Sequence, residues 1–396
     1  MKFWQAVAVV CLYACPSFAD NFLVLPFFPD GKSDNLDWVG ESISETIREA
    51  LANEGALTLD REARNEAYRR LSMKPYTRLT KASVIRLAES LDADAVIFGQ
   101  FDILAGENPE PPESKSKRTI RITAQAIDIK KARRGPEYTE IGSLEDLARL
   151  QNHLAWQTLQ FVLPDRKITE EDFRSRQPIV RVDAIESYIR GLLVQSAEQK
   201  MKYFTQAVRL EPKYSSANFE IGRAHFRKKS YRPAADVLQK VAEADVHGRE
   251  AMFLLGLARY YLGEFAGAEQ AFQSVAQQVP LSEVLNNLGA AQSRLNRAGA
   301  LENFQKALEG DAADPVYHFN VGYALLQRGD LEAAADRFRA VLDRTPDDVE
   351  ATTMLGRCLK KPVSKGAGRS EGFERLKETY QESAYWQLKA VLEGKK

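Results

Sequence analysis

The apolar residues of the first half of the chain follow strand and helix spacings in alternation. Residues 21–28 form an almost continuous apolar run, as a buried strand requires, and residues 36–51 then place leucine, valine and isoleucine at helical spacing. The same criteria predict a short strand at 56–59, helices at 62–71, 81–91 and 143–162, and strands at 93–104 and 120–126. Residues 106–117, rich in Pro, Glu, Ser and Lys, are predicted to form a hairpin loop. We therefore expect residues 20–164 to fold as an α/β domain.

The second half repeats a pattern of small and large residues with a period of 33 or 34 residues, set by Gly222, Gly256, Gly289, Gly322 and Gly356. An alanine follows about twelve residues after four of these glycines, at Ala234, Ala268, Ala300 and Ala334. A large apolar residue comes four positions later, at Leu238, Phe272, Phe304 and Phe338. A degenerate earlier unit contains Gly191, Phe204, Ala207 and Pro212. A fixed period of this length predicts stacked pairs of helices.

This pattern resembles the tetratricopeptide repeat (TPR). The resemblance covers residues 183–361, after a linker at 165–182, and gives five to six repeats of which the first and last are degenerate. It implies an all-α solenoid in which antiparallel helix pairs stack into a right-handed superhelix. Residues 362–370 are rich in Gly, Ser and Lys and break the pattern, and residues 371–392 show helix-like spacing. We expect residues 362–396 to comprise this break and a C-terminal capping helix.

In the register of that family, the first helix of each repeat lines a concave surface that binds peptides. The resemblance predicts a groove lined by Phe219, Arg223, Arg227, Phe253, Tyr261, Asn286, Arg294, Phe319, Tyr323, Arg357 and Lys361. Such an aromatic and basic lining suits an extended or helical segment with apolar anchors and an acidic group. The alternative for each aromatic residue is packing against its neighbours. The lysine and asparagine arrangement that clamps a terminal carboxylate in chaperone-binding members is absent, so that class of partner is not inferred.

The first half resembles the amino-terminal domain of TolB and its relatives. Phrases at residues 23–27, 36–43, 93–99, 121–128 and 144–151 occur in the order of that family. The resemblance implies a noncatalytic envelope domain with a mixed sheet. The β-propeller of TolB is missing, so a role in the Tol system does not transfer. The alternative is that these sequence stretches reflect only buried strands and helix caps.

The first 19 residues have the features of a secretory signal peptide. Lys2 precedes an apolar stretch, and Ser17 and Ala19 are the small residues that cleavage requires. Lipid attachment at Cys15 is the alternative, which would anchor the protein to a membrane. No later stretch approaches the length of a transmembrane helix. Cleavage would leave Cys358 as the remaining cysteine, so no internal disulfide is expected. Export without disulfides favours a bacterial periplasm.

Composition and motifs argue against several other functions. The 55 basic and 55 acidic residues cancel, which disfavours nucleic acid as a partner. No metal, cofactor or catalytic site is predicted: the phosphate-loop-like run at 26–33 has prolines where backbone amides are needed, and Asp30, Asp34 and Asp37 do not follow a calcium-loop spacing. The histidines are scattered, and no zinc or serine-nucleophile motif occurs.

These observations predict a noncatalytic, exported adaptor or scaffold in the bacterial cell envelope. Its TPR groove would bind protein or peptide partners, and homo-oligomerisation is left open. The alternative is an envelope sensor whose α/β domain binds a small ligand or cell-wall fragment while the repeats mediate oligomerisation.

Overall fold

A computed structural model of the protein describes residues 21–31, 35–104, 118–177, 179–360 and 372–392. The predicted signal peptide, Cys15, the whole predicted hairpin loop and Lys361 lie outside the described residues. None of the helices in the described ranges is long and apolar enough to cross a membrane.

The first half contains one mixed sheet. Its strands are β1 (Asn21–Val24), β2 (Phe28–Pro29), β3 (Leu57–Thr58), β4 (Ala95–Leu104), β5 (Thr119–Asp128) and β6 (Arg133–Ser143). Their order is β3-β1-β4-β5-β6, and β2 pairs with β4. Strand β1 is parallel to β3 and β4, whereas β4, β5 and β6 are antiparallel to one another in turn.

Helices cover both faces of this sheet because the side chains of β1 alternate between two apolar clusters. Phe22 and Val24 pack with the face that carries α1 (Asp37–Asn53) and α4 (Leu147–Val162). Leu23 and Leu25 pack with the opposite face, which carries α2 (Arg61–Arg70) and α3 (Lys81–Glu89). The expected α/β class is confirmed.

Two elements differ from the sequence-based expectation. Strand β6 was not predicted, because most of its residues are exposed and Gly135 and Pro136 interrupt its pattern. Proline is tolerated there because β6 is an edge strand and its pairing with β5 is irregular near Gln125. The predicted linker also contains a short helix, α5 (Glu170–Arg176), whose Phe173 is buried.

The second half is a tandem array of helix pairs, as predicted. The pairs are α6 (Val182–Leu193) with α7 (Ala197–Leu210), α8 (Ser215–Arg227) with α9 (Tyr231–Leu238), α10 (Gly248–Tyr261) with α11 (Phe265–Ala276), α12 (Ser282–Arg294) with α13 (Gly299–Gly310), and α14 (Pro315–Arg328) with α15 (Leu331–Leu342), followed by α16 (Val349–Leu359).

The repeated glycine permits the close approach of the two helices in a pair. A Cβ added at Gly256 would lie 2.6 Å from the ring of Phe272 on the second helix. A Cβ at Gly289 would meet the ring of Phe304 at 2.8 Å. Both phenylalanines are fully buried. At four of the five repeated glycines a large apolar side chain of the second helix thus lies directly on the helix backbone, whereas an added Cβ at Gly356 would meet nothing within 4 Å.

The two halves share a continuous core. Ile47 of α1 and Tyr188 of α6 belong to the same buried cluster, which extends to Phe204 in α7. The first repeat therefore packs directly on the α/β domain.

Residues 372–392, which we call the groove segment, lie along the first helices of the repeats. Residues 372–381 have no helical or strand structure, and α17 (Glu382–Leu392) follows them. The prediction of a helix from residue 371 was wrong for 372–381. The spacing of Phe373, Leu376 and Tyr380 fits a helix, but side chains of the array take the backbone hydrogen bonds of this stretch. The segment also contacts several repeats instead of capping only the last one.

Candidate peptide-binding groove

Two asparagines bind the backbone of the groove segment in the same way. Asn320 accepts the N–H of Arg375 at 2.8 Å and donates to the carbonyl of the same residue at 2.7 Å. Asn287 accepts the N–H of Lys377 at 2.9 Å and donates to its carbonyl at 2.7 Å. Each side-chain amide thus acts as a neighbouring strand would, pairing with both polar groups of one residue. Contacts of this kind do not depend on the side chains of the bound segment.

The repeat register explains why these two asparagines act alike. Each stands two residues before the repeated glycine, and the two are 33 residues apart. They hold residues 375 and 377, so one step along the array corresponds to two residues of an extended segment. The later repeat holds the earlier residue, and the segment therefore runs opposite to the order of the repeats.

A third asparagine completes this network. Asn286 donates to the carbonyl of Arg375 at 2.8 Å, and its own carbonyl accepts from Asn320 at 2.7 Å. The side chains of all three asparagines are inaccessible to solvent. Buried amides without partners would destabilise the fold, so the network needs either water or a bound backbone in this position.

Basic side chains of the segment meet acidic residues of the array. Arg375 forms hydrogen bonds of 2.6 and 2.8 Å to the two carboxylate oxygens of Asp348, and one of 2.8 Å to Glu350. Its guanidinium carbon also lies 3.6 Å from the ring centroid of Phe319. Lys377 forms an ion pair with Asp314. The hydrogen bond from Arg375 is the main cause that lowers the pKa of Asp348 below its ordinary value.

Acidic side chains of the segment meet polar and basic residues on α10 and α12. Ser293 donates to Glu374 at 2.6 Å, Tyr260 donates at 3.4 Å, and a guanidinium nitrogen of Arg294 lies 3.9 Å from the same carboxylate. The side chain of Glu374 is only 1% exposed. These partners offset the loss of hydration of a carboxylate so thoroughly buried. Further along, Tyr261 donates to Glu378 at 2.5 Å.

Aromatic residues anchor both ends of the segment. The ring of Phe373 lies 5.8 Å from that of Tyr323, and the guanidinium carbon of Arg357 lies 5.5 Å from its centroid. At the other end, the ring of Tyr380 lies 5.5 Å from that of Phe253. These contacts bury apolar area on either side of the polar backbone contacts.

Helix α17 anchors the segment most deeply. Tyr385 is 1% exposed, and the guanidinium carbon of Arg249 lies 4.3 Å from its ring centroid. Arg249 also pairs with Glu382, with one nitrogen 3.2 Å from the carboxylate. Trp386 lies against Gly55, where an added Cβ would be 2.8 Å from its ring. Because Gly55 follows α1, α17 touches the α/β domain as well as the array.

The structure brings most of the predicted groove residues onto this segment, and the contacting residues are Phe253, Tyr261, Asn286, Arg294, Phe319, Tyr323 and Arg357. Three others have different surroundings. Phe219 is buried against the ring of His247, with centroids 4.4 Å apart. Arg223 pairs with Glu220 at 2.7 Å, and Arg227 is exposed near the end of α8. Their binding of an external partner stays a prediction.

Sequence reasoning missed the residues that hold the backbone and the basic side chains of the segment: Asn287, Asn320, Asp314, Asp348 and Ser293. A signal for four of them was present. The two asparagines occupy one register position in consecutive repeats. The two aspartates, 34 residues apart, each directly precede the first helix of a repeat.

Comparisons with known protein families identify the repeats that form the helix pairs. Residues 202–245, 290–349 and 322–359 match a family model described as tetratricopeptide repeat, and residues 250–282 match a second model with that description. The second half of the chain is therefore an array of tetratricopeptide repeats, a class that binds protein or peptide partners.

The chain is also similar to parts of larger curated proteins. It is 25% identical over 228 residues to tetratricopeptide repeat protein 8 of Caenorhabditis elegans, covering 55% of this chain and 40% of that protein. It is 25% identical over 159 residues to the CTR9 homolog of Arabidopsis thaliana, covering 39% of this chain and 14% of that protein. The chain thus spans less than half the length of either relative.

Solved structures show likeness in the fold of the array. YrrB, described as a TPR protein with an unusual peptide-binding site, is 20% identical, with coverage of 43% of this chain and 91% of YrrB and a TM-score of 0.39. A MamA fragment from Desulfovibrio magneticus RS-1 is 22% identical, with coverage of 40% of this chain and 92% of the fragment and a TM-score of 0.37.

Proposed function

We propose that the protein is a noncatalytic adaptor or scaffold that binds an extended segment of a partner protein along the groove formed by α10, α12, α14 and α16. The paired contacts of Asn287 and Asn320 with a peptide backbone carry this proposal. They demonstrate a geometry in which the array holds an extended chain through the backbone, while aromatic and charged residues nearby select side chains. The groove segment is the occupant of this geometry in the structure.

We further propose that this adaptor works in a bacterial periplasm, after removal of residues 1–19. The signal-like start of the sequence supports export, and the resemblance of residues 20–164 to the TolB amino-terminal domain supports an envelope role. In this account the α/β domain docks on one envelope component while the array holds another. Mass spectrometry of the mature amino terminus tests export, and it also distinguishes a start at Asp20 from a lipid-modified Cys15.

Site-specific photo-cross-linking in the producing cell tests the adaptor function. Benzoylphenylalanine replaces Tyr261, which is 39% exposed and contacts Glu378, and in a control it replaces Tyr203 on α7. We expect adducts with a partner protein from position 261 that disappear when Asn287→Ala and Asn320→Ala are added. Adducts that are equally abundant from position 203, or that survive loss of both asparagines, would argue against groove binding.

One observation favours the second candidate, a sensor for a small ligand. A cavity of about 290 Å³ lies between α1, α4, α6 and the start of α8. Its lining includes Glu49, Gln151, Tyr188 and Tyr214. Oε1 of Glu49 is buried with no hydrogen-bond partner among the described residues, and a guanidinium nitrogen of Arg48 lies 4.0 Å away. Burial is the main cause that raises the pKa of Glu49 to about 8. A ligand that donates hydrogen bonds would satisfy this group.

Thermal stabilisation of the full chain by glycans, cell-wall fragments or nucleotides tests the sensor function, because a ligand of the folded state alone raises its stability. The full chain is needed since the cavity is formed partly by the first repeats. Stabilisation that Glu49→Ala abolishes would support the sensor. The absence of any shift across these ligands would remove it.

A further inference from the structure

The side chains of the groove segment alternate in chemistry and face two different sides of the groove. Arg375 and Lys377 point to carboxylates at the starts of α16 and α14, where Asp348 and Asp314 lie. Glu374 points the other way, toward hydroxyl and guanidinium groups on α10 and α12. Leu376, on the same side as Glu374, packs between two apolar clusters of the array. The groove therefore has an acidic side and a basic, hydroxyl-rich side.

We propose that the partner of this groove is an extended peptide with the order aromatic, acidic, basic, apolar, basic, acidic, and that residues 372–381 are the chain's own competitor for it. The inference rests on the proposed function and adds to it the chemistry of the partner and the step that precedes binding. The partner must displace residues 372–381 before it reaches the asparagines. Only a peptide of matching pattern binds with enough affinity to displace the segment.

Specificity follows from the two sides of the groove. A peptide with a basic residue at the position of Glu374 would place a cation beside Arg294 in a buried site. A peptide with acidic residues at the positions of Arg375 and Lys377 would bring like charges onto Asp348 and Asp314. Like charges brought together at a binding surface are strongly unfavourable. The asparagines alone would accept any extended backbone, so the charges must supply the selection.

The contacts of residues 372–381 are of a kind that a partner can replace. They are backbone hydrogen bonds, ion pairs of Arg375 and Lys377 with partly exposed side chains, polar contacts of the buried Glu374 carboxylate, and one tilted and one edge contact of rings. Helix α17 is different, because Tyr385 is buried and Arg249 is placed over its ring. We therefore assign the exchange to residues 372–381 and the permanent attachment to α17. Twelve residues, 360–371, connect α16 to the segment, and covalent connection raises the effective concentration of the segment at its site.

The test uses a fluorescent peptide of residues 372–381 titrated into the full chain. A variant with Arg375→Glu and Lys377→Glu weakens the chain's own segment, because both new carboxylates face Asp348 and Asp314. The matched control is Lys202→Glu with Lys240→Glu, which changes the net charge equally at exposed positions on the repeats. Circular dichroism and thermal unfolding confirm that all chains are folded.

We expect the peptide to bind the weakened variant about tenfold or more tightly than the wild type or the control, an energetic difference that anisotropy resolves readily. We also expect a peptide with its charges exchanged (Glu374→Arg, Arg375→Glu, Lys377→Glu and Glu378→Lys) to bind the wild-type chain and the control about tenfold or more weakly than the native peptide does.

Equal affinity for the wild type and the weakened variant would overturn the competition while leaving the groove function in place. Equal affinity of the native and charge-exchanged peptides would overturn the proposed partner pattern. No saturable binding to any chain would contradict the groove function itself, and the inference would fail with it. A wild-type chain that dimerises by exchanging segments, seen by mass in light scattering, would show that the occupant is a second copy.

Discussion

The side-chain amide of Asn320 pairs with both backbone polar groups of Arg375, which is 55 residues further along the chain. Asn287 repeats this arrangement with Lys377. The period of the array thus places an asparagine against alternate residues of the extended segment. This relationship links the repeat register of the sequence to the proposed function in peptide recognition.

Replacing Asn320 with alanine should destabilise docking of the groove segment. The change removes three hydrogen bonds, one of them to Asn286, and leaves the N–H of Arg375 without its partner, at a cost of about 1–3 kcal/mol. Urea unfolding measures the loss, and hydrogen exchange should become faster at the Arg375 amide. Asn303→Ala on α13 is the control, since that side chain bonds only to the side chain of Gln292 among the described contacts. Equal effects of the two changes would argue against the backbone pairing.

The glycine of the repeat should matter only where a large side chain covers it. Gly256→Ala would force a methyl group against the ring of Phe272 and should destabilise the fold by about 1–3 kcal/mol. Gly356→Ala, at the same register position, meets nothing within 4 Å and should stabilise α16 by up to about 1 kcal/mol. Chemical denaturation of both variants checks the sign. Destabilisation by Gly356→Ala as large as that by Gly256→Ala would contradict the packing argument.

Docking of the groove segment should weaken in acid through Asp348. The hydrogen bond from Arg375 holds the pKa of Asp348 below its ordinary value of 3.8. This stabilisation is fully present above that ordinary value, and it is lost as the pH falls through the lowered pKa. Thermal unfolding at pH 7 and pH 3 should show a smaller drop in midpoint for Arg375→Met than for the wild type. Identical drops would exclude this pair as a source of acid sensitivity.

Glu49 should act in the opposite direction. Because burial raises its pKa from 4.5 to about 8, the folded chain keeps a proton that the unfolded chain releases. The stability contributed by this group therefore falls as the pH rises from about 4.5 to about 8. Glu49→Gln should flatten the pH dependence of the unfolding free energy in this window. The exposed Glu66→Gln serves as the control, and an unchanged slope in Glu49→Gln would contradict the prediction.

The sequence predicted the two parts of the fold because each has a strong local signal. The almost continuous apolar run at residues 21–28 and the repeated glycine each indicate buried positions. Strand β6 was missed because an exposed edge strand containing Pro136 has no such face. The extended course of residues 372–381 was missed for a different reason, since it depends on Asn287 and Asn320, which are distant in sequence.

The sequence predicted several residues that line the groove, but it did not predict the segment that occupies it. The resemblance to the repeat family placed Phe253, Asn286 and Phe319 on the concave surface that the first helices line, and the segment contacts all three. The acidic side of the groove was not foreseen, because Asp314 and Asp348 appear in sequence only as helix caps. Their second role depends on the long-range approach of Lys377 and Arg375.

The central claim is that buried asparagines of the array bind the backbone of an extended peptide. The most direct measurement is the affinity of the peptide of residues 372–381 for the chain carrying Arg375→Glu and Lys377→Glu, with and without Asn287→Ala and Asn320→Ala. We predict saturable binding that weakens about tenfold or more when the asparagines are removed, as expected for the loss of several hydrogen bonds. Binding of undiminished affinity to the folded chain without these asparagines would contradict the claim.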